Sequence, residues 1–176
     1  MKKYLLTTLV ILFSIAGFAQ VKGKSPHHKA HKVIKTKAPA QMLPDFTFSK
    51  VPDSTVFTKD SLQKDKATIL MFFNPDCGHC LVFLKDLLKN YNLLENVQIV
   101  MGAPSEHKVL NKFYEDYKIA DYPGLTLCRD QNYFLVTHFD LREYPGVYVF
   151  NKAGRFVKGF SSTITVEQIV AVLNKK

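Results

Sequence analysis

The sequence is poor in cysteine, with three in 176 residues, and it contains no tryptophan. Cys77 and Cys80 are separated by two residues, whereas Cys128 has no partner cysteine nearby. A zinc knuckle needs four ligands, usually supplied by two closely spaced pairs. The scarcity of cysteine therefore disfavours a zinc knuckle or a pair of buried core cysteines, and it leaves Cys128 alone beside one closely spaced pair.

Long apolar runs are also scarce. The run from Leu5 to Phe18 follows a short basic start at residues 1–3 and ends next to the small residue Ala19. This pattern is typical of a secretory signal peptide, which we predict over residues 1–19. The run is shorter than the ~20 residues that span a membrane as a helix, and no cysteine follows it to carry a lipid. We expect an exported protein, periplasmic or secreted, that is soluble after cleavage.

Acidic residues are absent from residues 20–42. The lysines of this segment are Lys22, Lys24, Lys29, Lys32, Lys35 and Lys37. They carry most of the formal charge of +9, because residues 43–176 hold 16 basic and 15 acidic side chains. A near-neutral domain lacks the basic footprint that a nucleic acid requires, so we expect no nucleic-acid partner. Residues 20–42 are typical of a basic disordered tether that touches an anionic membrane surface. The histidines of the tether, His27, His28 and His31, leave open a weak metal-collecting role.

The stretch around Cys77 combines a strand, a turn and a helix. Residues 67–73 form a continuous apolar, β-prone run that predicts a buried strand. Residues 74–76, Asn-Pro-Asp, end this strand, since proline cannot donate to a central ladder. Residues 80–89 place Leu81, Leu84 and Leu88 on one face of an amphipathic helix. Cys77 is therefore expected at a strand-to-helix turn, with the first helical N–H groups directed at its sulfur.

This position and spacing favour thiol chemistry. The positive end of a helix favours a thiolate, and in such motifs the pKa of the first cysteine falls from ~8.5 to ~3.5–7.5. Two cysteines three positions apart close a small ring, so that Cys77 can attack a disulfide and Cys80 can resolve the mixed intermediate. A positively charged His79 between them would stabilise the thiolate further. The pair is therefore predicted to be redox-active.

Strand, proline turn, Cys77-Gly78-His79-Cys80 and helix together resemble the active site of the thioredoxin superfamily, and Gly78-His79 is the dipeptide of protein disulfide isomerase domains. The resemblance implies a thiol–disulfide oxidoreductase with Cys77 as nucleophile, Cys80 as resolving thiol and His79 as a further catalytic residue. It implies protein thiols or disulfides as substrates, contacted by Asp76 and Gly78. It implies no cofactor beyond the Cys77–Cys80 disulfide and no bound metal.

A second stretch, residues 142–154, resembles the cis-proline loop of the same superfamily and its following hairpin. Pro145 would be the cis proline, a bond that costs proline only ~0.5–1 kcal/mol. The bend would bring the backbone of Tyr144 beside Cys77, where its free N–H and C=O could pair with an extended substrate. Tyr144 and Pro145 are therefore predicted substrate-binding residues, and Pro145 is also assigned to the catalytic site.

The fold class implied for residues 43–176 is α/β, a thioredoxin fold with a mixed central β-sheet flanked by helices and an N-terminal β-hairpin extension. Most of this segment resembles exported reductases of the cytochrome-maturation (TlpA/ResA) kind, which implies an electron donor or acceptor at the membrane. Ser105 is the predicted N-cap of a helix through Tyr117 in which Val109 faces inward. Residues 165–168 are a predicted capping box, formed by Thr165 and Gln168, that begins the last helix. Residues 125–129 and 133–136 are predicted as short elements of an insertion, with Cys128 as buried filler.

The sequence also departs from these relatives. Met71 occupies the place of the buried Asp of thioredoxins, and Phe83 the place of a Glu that often follows the paired cysteines in the exported reductases. Asp76 stands where tryptophan usually precedes the first cysteine. Cys80 is thus left without an obvious base, and the direction of electron flow is open. The alternative function is a copper or zinc binding or delivery module that uses the cysteine pair and histidines.

Overall fold

The computed structural model of the protein describes residues 42–174. The predicted signal peptide and all of the predicted tether except Met42 lie outside the described residues. Met42 pairs with Arg155, and the N–H of Leu43 donates to the Gly154 carbonyl at 2.7 Å. The chain therefore enters the described part beside the turn between the last two strands.

The described part contains a seven-stranded sheet in the order β2-β1-β5-β4-β3-β6-β7. Its strands are β1 (Thr47–Lys50), β2 (Val56–Thr58), β3 (Ala67–Phe72), β4 (Val97–Ala103), β5 (Leu125–Arg129), β6 (Gly146–Phe150) and β7 (Phe156–Ser161). Strands β3, β4 and β5 are mutually parallel, and the other neighbouring pairs are antiparallel. The predicted mixed sheet is confirmed, and β1 with β2 forms the predicted N-terminal hairpin.

Helices cover both faces of the sheet. They are α1 (Gly78–Lys89), α2 (His107–Asp116), α3 (Phe134–Phe139) and α4 (Val166–Leu173). Alternate residues of β3 point to opposite faces: Ile69 and Met71 pack with α1, α2 and α4, whereas Leu70 and Phe72 pack with α3 and the segment before β1. All six residues of β3 are buried. Burial on both faces explains why this strand is a continuous apolar run.

The prediction that residues 125–129 belong to an insertion is wrong. Residues 125–129 are β5, a strand of the central sheet that pairs in parallel with β4 and antiparallel with β1. Leu125 and Leu127 are buried in the main core, and Cys128 is fully buried on the opposite face, as predicted. The second predicted element, residues 133–136, overlaps the start of α3. There the Asp130 carboxylate accepts hydrogen bonds from the N–H groups of Phe134 and Leu135.

Two helix details also differ from the prediction. Glu106, not Ser105, is the N-cap of α2, because the Glu106 carbonyl accepts the first intrahelical bond, from the Leu110 N–H at 3.1 Å. Val109 is 46% exposed instead of inward-facing, and the buried residues of α2 are Leu110 and Phe113. In α1 the buried residues are Cys80, Phe83, Leu84 and Leu87, whereas Leu81 and Leu88 are only partly covered. The capping box of Thr165 and Gln168 at α4 is present as predicted.

Candidate active site

Two chain segments meet where the neighbouring strands β3 and β6 have their paired ends. Phe72, the last residue of β3, pairs with Gly146, the first residue of β6. The segment that follows β3 contains Cys77, and the segment that precedes β6 contains Tyr144 and Pro145. The Phe72 and Tyr144 rings lie 5.2 Å apart between centroids. The register of β3 and β6 therefore brings together the two stretches that the sequence singled out.

The turn between β3 and α1 is built on Asn74. Its side-chain Oδ1 accepts the Asp76 N–H at 2.9 Å, and its backbone carbonyl accepts the Cys77 N–H at 3.0 Å. Asparagine commonly closes a turn on the backbone two residues on in this way. The Asn-Pro-Asp sequence indicated a turn, but it did not show that Asn74 accepts hydrogen bonds from the N–H groups of both Asp76 and Cys77. Asn74 is thus a site residue that the sequence analysis missed.

Cys77 is the N-cap residue of α1, with extended backbone angles, and its carbonyl accepts the Leu81 N–H at 3.1 Å. The expected strand-to-helix position of Cys77 is therefore correct. Its side chain makes no capping hydrogen bond to the helix. The expectation that helical N–H groups are directed at this sulfur is thus not realised as a hydrogen bond.

The two thiols differ sharply in exposure. Both are free, and Cys77 is half-buried while Cys80 is 1% exposed. Burial raises the pKa of the Cys80 thiol to about 12, and the hydrogen bond to Cys77 adds to this rise. Backbone hydrogen bonds from Asn74 and from Cys80 itself oppose it. Met71 and Phe83, which replace the carboxylates of the relatives, are both buried in the same core as Cys80. The Cys80 thiol is therefore enclosed by apolar groups.

The remaining predicted site residues lie around this pair. Asp76, Gly78 and His79 are exposed. Within residues 42–174 no ion pair or hydrogen bond joins the Asp76 and His79 side chains. A Cβ added to Gly78 would have no heavy atom within 4 Å, so the surface above the helix start is open.

The segment before β6 is partly buried. The Tyr144–Pro145 peptide bond is cis, and so is the Val51–Pro52 bond, which the sequence analysis did not predict. Pro145 is buried, and its carbonyl accepts the Ser162 N–H at 3.1 Å. Tyr144 is 37% exposed, and its backbone makes no hydrogen bond to any other described residue.

The described residues contain neither a cluster of metal ligands nor a helix that could span a membrane. Among residues 42–174 no group of three His, Cys, Asp or Glu side chains is placed to hold a metal ion. No helix in this range is both long enough and apolar enough to cross a bilayer. Cys128 belongs to the core on the other face of the sheet from Cys80, and burial raises its pKa to about 12. Cys128 is therefore a buried thiol separate from the pair.

Comparisons with known proteins agree with this architecture. No curated protein sequence matches the chain. Among solved structures, the exposed lipoprotein thioredoxin of Streptococcus pneumoniae is 22% identical, with a TM-score of 0.59, covering 74% of this chain and 98% of that chain. StoA of Bacillus subtilis is 18% identical, with a TM-score of 0.54, covering 75% of this chain and 98% of that one. A secreted disulfide oxidoreductase of Mycobacterium tuberculosis is 16% identical, with a TM-score of 0.60, and the match covers 73% of this chain and 93% of that chain.

These similarities show a shared fold. The family model of the thioredoxin-like domain matches residues 56–176, which is more than half of the chain and includes both segments of the site. The chain therefore belongs to the thioredoxin-like family, and oxidoreductase is the activity class that this membership supports.

Proposed function

We propose that this protein is an exported thiol–disulfide oxidoreductase that exchanges disulfides with protein substrates through Cys77 and Cys80. The observation that carries the proposal is the placement of two free thiols at the start of α1, Cys77 as its N-cap and Cys80 in its first turn, beside the Tyr144–Pro145 segment. Such a pair can take up or release two electrons without any other group.

The difference in burial assigns the roles of the two thiols. A substrate can reach Cys77, which is half-buried, but not Cys80, which is 1% exposed. In the reducing direction the Cys77 sulfur attacks a substrate disulfide, forms a mixed disulfide and displaces one substrate thiolate. Cys80 gives its proton to water and attacks the Cys77 sulfur, so that the Cys77–Cys80 disulfide forms as the bond between Cys77 and the substrate sulfur breaks. The second substrate sulfur leaves as a thiolate, which takes up a proton from water. The substrate gains two electrons and the pair loses two.

An extended substrate segment has a binding edge next to Cys77. The Tyr144 backbone N–H and C=O are unpaired within residues 42–174, and such groups can add a substrate strand. Asp76 and Gly78 flank Cys77 on the open side of the helix start, so they would contact the same segment. His79 is exposed beside the pair, where a positive charge would favour the Cys77 thiolate.

Export is proposed from the signal-peptide pattern of residues 1–19. The similar proteins include one described as an exposed lipoprotein and one described as secreted. An exported pair of this kind needs a membrane donor or acceptor of electrons, and the basic residues 20–42 suit contact with an anionic membrane surface. The reduction potential gives the direction: about −270 mV would resemble thioredoxin, and about −120 to −180 mV an oxidase or isomerase.

Trapping tests the assignment. We expect Cys77→Ala to abolish insulin reduction by the dithiothreitol-fed protein, and Cys80→Ala to accumulate mixed disulfides that identify the substrates in the native envelope. Cys128→Ala is the matched control, since it removes a thiol buried on the other face of the sheet. Insulin reduction that survives the loss of Cys77 would overturn the proposal.

A further inference from the structure

The residue directly before Cys77 carries a negative charge that no neighbouring side chain balances. Asp76 is exposed, and within residues 42–174 its carboxylate has neither an ion-pair nor a hydrogen-bond partner, His79 included. The Cα atoms of consecutive residues lie about 3.8 Å apart, so the charge stays close to the Cys77 sulfur. Any substrate that reaches the sulfur therefore approaches an uncompensated carboxylate.

A turn fixes the backbone that carries this charge. The Asn74 Oδ1 accepts the Asp76 N–H at 2.9 Å, and the Asn74 carbonyl accepts the Cys77 N–H at 3.0 Å. Pro75 restricts the turn further, because its ring holds φ at about −65°. Both bonds use the backbone of the residues that follow Asn74. The Asp76 side chain takes no part in them, so it can be replaced by asparagine without loss of the turn.

The segment on the other side of Cys77 is also acidic. Arg142 is paired with Asp140, its Nη2 lying 2.7 Å from the carboxylate Oδ1, so its charge is compensated. Glu143 is exposed next to Tyr144 and has no ion-pair partner in the described part of the chain. Residues 43–176 as a whole are almost neutral, with 16 basic and 15 acidic side chains. The unpaired negative charge is therefore a local property of the surface around Cys77.

We propose that Asp76 is a specificity-determining residue, and that it selects substrate cysteines that have a lysine or an arginine beside them. The inference rests on the proposed disulfide exchange and adds a substrate class to it. In the selected step the Cys77 thiolate attacks the substrate sulfur, a bond between these two sulfurs forms, and the former partner of the substrate sulfur leaves with the electron pair. Asp76 gains or loses no electron or proton; its charge attracts the basic side chain.

The size of the effect follows from the charges. A residue next to the substrate cysteine lies about 6–10 Å from Asp76 when the two sulfurs meet, to judge from the length of the chain between them. In water at low ionic strength, a unit charge at this distance changes a rate constant roughly two- to threefold. Replacing a lysine by a glutamate reverses the sign of the interaction, so the two should differ about four- to tenfold.

Three peptides test this preference. Each has one cysteine in disulfide linkage to a coloured aromatic thiol, and they differ only in the residue after the cysteine, which is lysine, glutamine or glutamate. Attack by Cys77 on the peptide sulfur releases the coloured thiol, which stopped-flow absorbance follows. Each rate is divided by the rate of the same peptide with dithiothreitol, which removes differences in the peptides' own reactivity. The measurements are made at about pH 8, where an ordinary imidazole is neutral.

The wild-type protein should react in the order lysine, glutamine, glutamate, and Asp76→Asn should react with all three at nearly the same relative rate. Any change in the reactivity of the Cys77 sulfur alters the three rates alike, so their ratio isolates the charge preference. Asp76→Glu keeps the charge and should keep the order. Asp121→Asn is the matched control, because it removes an exposed carboxylate just before β5, at the opposite end of the parallel strands from Cys77.

The outcomes separate the specificity from the proposed function. Equal relative rates in the wild-type protein, an order that survives in Asp76→Asn, or an order that is lost equally in Asp121→Asn would overturn the role of Asp76. A preference that does not shrink in about 0.5 M salt would also contradict it, because exposed charges are screened there. If the wild-type protein released no coloured thiol from any of the peptides, the proposed disulfide exchange itself would fail.

Discussion

The rate of the resolving step should rise with pH over the whole range in which the protein stays folded. Burial raises the pKa of Cys80 to about 12. At pH 7 about one Cys80 in 10⁵ is then ionised, and this fraction grows tenfold with each pH unit below the pKa. Because the thiolate is the attacking species, the rate of resolution should follow this fraction.

The mixed disulfide retains the main cause of the raised pKa. The hydrogen bond and charge interaction with Cys77 also raise the pKa of Cys80, and they change when the Cys77 sulfur becomes bonded to substrate. Burial is the largest cause, however, and it does not depend on the state of Cys77. The pKa of Cys80 should therefore stay above the ordinary thiol value of 9.0 during resolution.

The assay uses a chromogenic aromatic disulfide, from which attack by Cys77 releases one coloured thiol and resolution by Cys80 releases the second, so that a stopped-flow trace shows two phases. The second phase is measured between about pH 6 and pH 8.5, with the logarithm of its rate expected to rise with a slope near one. Cys80→Ser provides the control, because it should remove the second phase and leave the first. A plateau in the second phase below about pH 8 would show that Cys80 ionises like an ordinary or an activated thiol. That result would refute the conclusion that its apolar enclosure controls the step.

Three further predictions concern the framework of the site. Gly146→Ala would place a Cβ 2.4 Å from Leu141 Cδ1, so it should lower the free energy of unfolding in urea by about 1–3 kcal/mol, whereas Gly78→Ala meets no atom within 4 Å and should raise it by about 0.5–1 kcal/mol. Burial raises the pKa of Asp130 despite hydrogen bonds from Leu135 and Phe134, so the folded state holds this proton more tightly than the unfolded state does. Its contribution to stability is present at low pH and is lost as the pH rises through the folded pKa; Asp130→Asn should remove this dependence from urea titrations made above about pH 4. Thr165→Ala removes the cap that accepts the Gln168 N–H and should lower the melting temperature, at a cost of about 1 kcal/mol.

Local patterns predicted the parts of the site that lie close together in sequence. The apolar run of β3 is continuous because both of its faces are buried, and the change to helical spacing after residue 76 placed Cys77 at the turn. The capping box of Thr165 and the hairpin of β1 and β2 were predicted for the same reason. Each depends on contacts between residues that are only a few positions apart, so the local sequence pattern is enough to predict it.

Non-local pairing was harder to predict. β5 is short, and only its position between β4 and β1 makes it a core strand. Its partner in β1 lies about eighty residues earlier in the chain, so no sequence period connects them. The face of α1 was predicted only in part, for a similar reason. The leucine spacing indicated a stripe through Leu81, Leu84 and Leu88, of which only Leu84 is fully buried. Phe83 and Leu87 are buried beside it, whereas the other two leucines are partly buried. Which face is buried depends on where the sheet lies, and the helix sequence alone does not contain that information.

The chemistry of the site and the stability of the fold share one cause. Cys77 is the N-cap that precedes α1 and is half-buried, whereas Cys80 lies in the first turn of the helix and is buried in the core between α1 and the sheet. The apolar residues that enclose Cys80, among them Met71 and Phe83, belong to the core that packs α1 on the sheet. A carboxylate at either position would supply a base, but it would place a charge in that core at a cost of several kcal/mol.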